Sequence, residues 1–410
     1  MPADALKCKE CGTTYDLEAR FVCDRCFGPL EVAYSAPAAD AAELKRRIQA
    51  GPHTIWRYAD FLPLAGAPRS ALPTGWTPLV RADRLAERLG LREVWVKNET
   101  ANPTHSFKDR VVSVALARAR ELGFETVACA STGNLAGAVA AHAAAAGLPA
   151  YVFVPADLEQ EKILSAGAYG ARIVGLEGNY DAVNRFCTEL SGDKPWAFVN
   201  INVRPYYAEG SKTLAFEVAE QLGWELPDRV VAPIASGSLF TKVARGFQEF
   251  IDAGLLDGEV PAMNGAQAEG CSPVAQAFAS GSDVCRPVKP DTIAKSLAIG
   301  NPADGPYAVE LARRTGGGVD AVSDDEIRAG IRLLAETTGI FTETAGGVTT
   351  AVLAKLAERG DIDPSERVVV CITGDGLKTL DCVKDTFEFT RIKPSVDAFE
   401  DAFATEAVAA

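Results

Sequence analysis

Two groups of residues in this 410-residue sequence have the types and spacing that chemistry requires. In Asn102-Pro103-Thr104-His105-Ser106-Phe107-Lys108-Asp109-Arg110, Asn-Pro is a turn, Ser106 can cap a helix, and Lys108 then falls in the first helical turn, aimed back toward a sheet edge. Only the neutral amine is nucleophilic, and positive potential at a helix start favours that form. Lys108 is thus a candidate for condensation with a carbonyl group, although taken alone it reads more readily as an ordinary surface lysine, as most lysines are. The second group is Cys8-x-x-Cys11 and Cys23-x-x-Cys26, two knuckles about 11 residues apart, each with a glycine nearby, Gly12 and Gly28. Four thiolates would close a tetrahedral zinc site with no position left for water, a structural role; the alternative is four free thiols.

Two further segments are suited to anions. Ser131-Thr132-Gly133-Asn134 lies between an expected strand and an Ala-rich helix, where hydroxyls and N–H groups could grip a carboxylate or merely cap the helix. Ala235-Ser236-Gly237-Ser238 follows another strand and opens a helix at Leu239, an arrangement that fits a phosphate dianion or a plain turn. His53, His105 and His142 are too few and scattered for a metal cluster. His142 reads as a helix residue without a catalytic part, whereas His105 stands inside the lysine motif.

The elements that must position these residues alternate along the chain. Strands are expected at 93–97, 126–130, 150–154, 171–176, 197–200, 229–234 and 367–372. Helices are expected at 106–122, 134–146, 158–166, 180–190, 210–222, 239–253, 325–337 and 347–358. Such alternation specifies an α/β fold with parallel sheets flanked by helices, and short strand-to-helix links gather helix N-termini on one ligand-binding edge. The small-residue run 35–40 reads as a linker and the acidic, Ala-rich tail 394–410 as a surface helix or frayed end.

With 41 basic and 55 acidic residues the net charge is -14, which repels nucleic acid and anionic lipid. The apolar stretch 134–155 is broken by His142, Gly147 and Pro149, so a buried helix and strand are expected there and no membrane span. Residues 1–10 show no export or import signal. Ten cysteines then imply a reducing compartment, and a cytoplasmic location is expected.

The lysine motif resembles the cofactor-lysine motif of threonine synthases, enzymes that use pyridoxal phosphate, and of their fold-type II relatives. Ser131–Asn134, Glu209-Gly210-Ser211-Lys212-Thr213 and Thr373-Gly374-Asp375-Gly376-Leu377-Lys378 match the same family in order and spacing, so the resemblance spans roughly residues 74–385. It implies two lobes, each with a mostly parallel sheet, plus a small zinc-ribbon-like module. The corresponding boundaries are 1–35 for the module, 36–112 with 207–393 for the cofactor lobe, 113–206 for the substrate lobe and 394–410 for the tail. It also implies that Lys108 carries pyridoxal phosphate as a Schiff base, that Asn134 lies beside the cofactor's 3′-oxygen, and that Thr373 meets its pyridine nitrogen. Ala235, Ser236, Gly237, Ser238 and Leu239 would hold the cofactor phosphate. Ser131, Thr132, Gly133 and Asn134 would take the substrate carboxylate, and Lys97, Arg204, Ser211 and Lys212 are candidates for the substrate phosphate. The implied reaction converts O-phosphohomoserine and water to L-threonine and phosphate, in a homodimer.

Three departures bear on detail. Arg204-Pro205-Tyr206-Tyr207 replaces a common Asn-Pro-x-Arg run, Ala235–Leu239 replaces Gly-Asn-x-Gly-Asn, and Asp375, close to the pyridine nitrogen, stands where His is common. The rival readings are a cysteate synthase acting on O-phosphoserine, a serine or threonine dehydratase and, from another class, a zinc-ribbon or dinucleotide-binding protein. The last lacks basic surface and a correctly spaced G-x-G-x-x-G turn.

Overall fold

The computed structural model describes residues 2–37, 39–66, 72–131, 133–156, 158, 160–178, 180–384 and 386–403. Ala3–Cys8 (β1), Thr14–Tyr15 (β2) and Leu30–Tyr34 (β3) pair antiparallel in the order β2-β1-β3 and carry the four paired cysteines at their ends and turns. The remaining strands are Leu79–Arg81 (β4), Glu93–Asn98 (β5), Val127–Ala130 (β6), Ala150–Pro155 (β7), Arg172–Leu176 (β8), Ala197–Phe198 (β9), Arg229–Pro233 (β10), Ala262–Ala268 (β11), Gly318–Val322 (β12) and Arg367–Ile372 (β13). They form a six-stranded sheet, β12-β11-β10-β13-β5-β4, and a four-stranded sheet, β8-β7-β6-β9. Every pairing in the two larger sheets is parallel except that of β4 with β5. Runs such as Val368-Val369-Val370 in β13 and Val230-Val231 in β10 are buried on both faces, the condition that parallel sheets covered by helices impose. This is the α/β architecture expected for fold type II.

The parallel order determines where ligands meet the chain. β5, β10 and β13 run parallel and end at one edge of the six-stranded sheet, and β6 ends at an edge of the four-stranded one. From these ends the chain runs into the loop before helix Lys108–Glu121, into helix Asn134–Ala146, into helix Ser238–Asp252 and into Thr373, respectively. Lys108, Asn134 and Ser238 are each the first residue of their helix. No helix among the described residues is long and apolar enough to cross a membrane.

Three strands of the larger sheet escape a sequence-based reading. β11, Ala-Met-Asn-Gly-Ala-Gln-Ala, looks too polar for an interior strand. Its Gln267 is nonetheless buried, because the side-chain oxygen accepts the Val274 and Ala275 N–H groups, both at 3.0 Å. β4 and β12 have three and five residues, too short to show a period. The helix expected at 210–222 is two, Arg204–Glu209 and Lys212–Gln221. The junction, Gly210, lies so close to helix Lys108–Glu121 that a Cβ there would stand 2.5 Å from the Arg110 carbonyl oxygen. The tail carries helix Val396–Phe403.

Candidate active site

Lys108 is held from all sides. The loop before it bonds to the end of β13, with Phe107 N–H donating to the Thr373 carbonyl at 2.9 Å and Ser106 bridging Gly374. Ser106 Oγ accepts the Lys108 N–H at 3.3 Å. Asp109, fully buried, accepts from the backbone and hydroxyl of Thr104, both at 2.9 Å, and lies 2.8 Å from His142 Nε2. His142 thus ties the helix of Asn134 to the helix of Lys108, a positioning role that its place in an Ala-rich run does not reveal. The Lys108 amine donates to the Tyr207 hydroxyl at 3.0 Å.

Behind the lysine lies a buried ionic cluster. Arg110 pairs with Glu99 at 2.5 Å and with Glu217 at 2.6 Å, and Lys97 pairs with Glu217 at 2.7 Å, every side chain being fully buried. Burial by itself would raise the Glu217 carboxyl, but the charges of Arg110 and Lys97 outweigh it and hold it down at about 2. Burial pushes the Lys97 amine below its ordinary value, despite Glu217. Lys97 therefore does not reach substrate: its three donors go to Glu217, Gln221 and the Thr77 carbonyl. Lys212 is likewise buried, between Glu209 at 2.5 Å and Glu249 at 2.8 Å. Both corrections have one cause. A charge removed from water is retained where carboxylates neutralise it; Glu209 lies within Lys212's own motif, but a one-dimensional reading does not show the distant partners Glu217 and Glu249.

The other expected residues converge. A cavity of about 180 Å³ is lined by Lys108, Ser131, Gly133, Asn134, Ser211, the run from Ala235 to Leu239 and Thr373. Thr132 lies outside the described residues. Arg204 is not on this wall; it pairs with Asp304 at 2.6 Å, beside a neighbouring cleft. Ser131 Oγ accepts N–H groups of Gly133 and Ala136, both at 3.1 Å, so one hydroxyl caps the helix and faces the cavity. The Asn134 amide is fixed at both ends, donating to Glu343 Oε1 at 2.9 Å and accepting from Lys378 Nζ at 2.9 Å. Gly237 has φ +95°, and a Cβ there would stand 2.8 Å from the Asp304 carbonyl oxygen, so the loop requires glycine. Asp375 is not on the cavity wall: its carboxylate accepts the Leu377 N–H at 2.8 Å and caps the turn Gly376–Lys378.

Tyr180, Tyr207, Lys295, Ser296 and Glu343 also line the cavity. Tyr207 lies within a run already singled out as a departure. Glu343 precedes a Gly-rich helix and could have been read as its cap, while Lys295 and Ser296 carry no sequence signal. The donor set fits pyridoxal phosphate: an amine for its aldehyde, a glycine-dependent helix start for its phosphate and a hydroxyl for its ring nitrogen. In the small sheet the Sγ atoms of Cys8 and Cys26 are 3.4 Å apart, those of Cys11 and Cys23 are 3.6 Å apart, and all four lie within 4.8 Å of one another. Tetrahedral ligation at Zn–S distances of about 2.3 Å needs Sγ separations of this order.

Comparison with known proteins agrees with this geometry. The family described as pyridoxal-phosphate dependent enzyme matches residues 71–374. The threonine synthase of Methanocaldococcus jannaschii is 39% identical over 378 residues, 92% of this chain and 93% of the relative. That of Methanosarcina acetivorans is 39% identical over 404 residues, 97% and 98% of the two chains. Among solved structures, Escherichia coli diaminopropionate ammonia lyase superposes with a TM-score of 0.64 at 21% identity, covering 84% of this chain and 90% of that one, a likeness of fold. The chain belongs to the pyridoxal-phosphate dependent enzyme family and, within it, to the threonine synthases.

Proposed function

We propose that this enzyme converts O-phosphohomoserine and water to L-threonine and inorganic phosphate. The observation that carries the reading is the meeting, on one cavity, of a helix-start lysine, the Ser131–Asn134 loop and the Ala235–Leu239 loop, in a chain 39% identical to threonine synthases. When bound, pyridoxal phosphate supplies the electron sink that acidifies the protons near the substrate's amino group. Helix Ser238–Asp252 offers its first N–H groups to the cofactor phosphate, and helix Asn134–Ala146 with Ser131 offers the same to the substrate carboxylate. Asn134, held on the cavity wall by Glu343 and Lys378, would face the cofactor's 3′-oxygen. Thr373, on the same wall, would offer the ring nitrogen a hydroxyl, too weak an acid to protonate it fully, which would favour elimination and replacement over transamination.

Lys108 Nζ moves the proton at the α-carbon. Over the whole reaction, protons leave the α- and β-carbons and the γ-carbon–oxygen bond breaks with its electron pair on the phosphate; protons then return to the γ- and α-carbons, and water gives its hydroxyl to the β-carbon and its remaining proton to the phosphate. The four cysteines hold a structural zinc ion in this reading, and the ten thiols suit a reducing cytoplasm. The test is borohydride reduction with peptide mapping, together with a phosphate-release assay. A pyridoxyl group on Lys108 and phosphate released from phosphohomoserine are expected. Release from phosphoserine alone would replace the reading with a cysteate synthase.

A further inference from the structure

A substrate phosphate needs a cation, and the two lysines nominated for it, Lys97 and Lys212, are buried in ion pairs elsewhere. Tyr207 puts a neutral hydroxyl on the cavity wall, and that hydroxyl accepts from Lys108. Among the described residues that line the cavity only Lys108 and Lys295 carry cationic side chains, and Lys108 is committed to the cofactor. Lys295 and Ser296 occupy a 3-10 turn, Lys295–Leu297. Ala294 and Leu297 plug this turn into the core, and Asp324 holds its approach by accepting from the Thr292 hydroxyl at 2.7 Å. Lys295 is an exposed residue, and its ammonium makes no hydrogen bond or ion pair among the described residues. Ser296 Oγ is buried on the cavity wall with no partner. A buried hydroxyl is seldom left unsatisfied unless a ligand completes it.

Resting on the function proposed above, we infer that Lys295 and Ser296 form the subsite that binds the substrate's phosphate and stabilises it as it leaves the γ-carbon. The ammonium and the hydroxyl both donate to phosphate oxygens, which carry the electron pair of the broken carbon–oxygen bond. The subsite is separate from the Ala235–Leu239 loop, so the enzyme holds two phosphates at two places in one cavity.

Lys295→Ala tests this at little risk to folding, because the residue is exposed. Losing a charge-assisted contact should raise KM for phosphohomoserine about 10- to 100-fold and weaken product inhibition by inorganic phosphate in parallel, while Lys295→Arg retains most of both. Cofactor absorbance and pyridoxyl labelling of Lys108 should be unchanged. Titration of the holoenzyme with inorganic phosphate, read by the cofactor's absorbance, should saturate in the wild type and in Ser296→Ala only at higher concentration. The subsite is overturned if KM and phosphate inhibition in Lys295→Ala stay within about twofold of wild type. Loss of cofactor from that variant would overturn it too. A wild-type enzyme that releases no phosphate from phosphohomoserine sinks the reading of function, and the phosphate titration then decides the subsite alone.

Discussion

At the scale of single residues, the site depends on side chains whose second ends are tied down. Asn134 keeps its orientation because Lys378 donates to its oxygen while its nitrogen reaches Glu343. Lys378 Nζ also donates to the Thr104 carbonyl at 2.6 Å, joining the carboxylate loop to the lysine loop. Burial pushes this amine below its ordinary value, with Glu343, Asp109 and Asp375 pulling the other way. Lys378→Met removes a charge-assisted bond worth about 1.5–3 kcal/mol and should weaken cofactor retention roughly tenfold or more, read as absorbance lost on dilution. Unchanged retention would mean that the Asn134 amide needs no such support.

At the scale of elements, the ionic cluster joins β5 through Lys97, helix Lys108–Glu121 through Arg110 and helix Lys212–Gln221 through Glu217. Glu217 has a folded-state value near 2, below its ordinary 4.5. The unfolded chain therefore binds the extra proton first. This contribution to stability is complete above pH about 4.5 and is lost as pH falls toward 2. Glu217→Gln leaves Arg110 and Lys97 underneutralised and should cost about 3–5 kcal/mol at neutral pH in urea unfolding. Its stability should also fall less steeply than that of the wild type between those two pH values. Equal slopes would show that the acid limb belongs to other carboxylates.

At the scale of the whole molecule, the cysteine-bearing module is fastened to helix Arg204–Glu209, which carries Tyr207, and to helix Lys108–Glu121. Tyr34 donates to Glu209 at 2.6 Å, Tyr206 donates to the Glu18 carbonyl at 2.8 Å, and Arg118 reaches the Leu17 carbonyl at 2.8 Å. Elemental analysis should find one zinc ion per chain. Cys11→Ser combined with Cys26→Ser should abolish it and lower the thermal midpoint, with the Lys108 adduct still forming, because no cysteine of this set lines the cavity. A metal-free wild type of undiminished stability would reduce the knuckles to free thiols.

The sequence alone determined the α/β class and nominated the lysine, the loops at three strand ends and the cysteine pairs, because each rests on a local period or a short motif. Tertiary structure decided which charges are available. Lys97 and Lys212 lie no further in sequence from the motifs than Lys295 does from any of them, yet the first two meet carboxylates more than 30 residues away while Lys295 meets the cavity. Which partner a charge finds depends on packing between distant segments, and burial makes that partner a necessity.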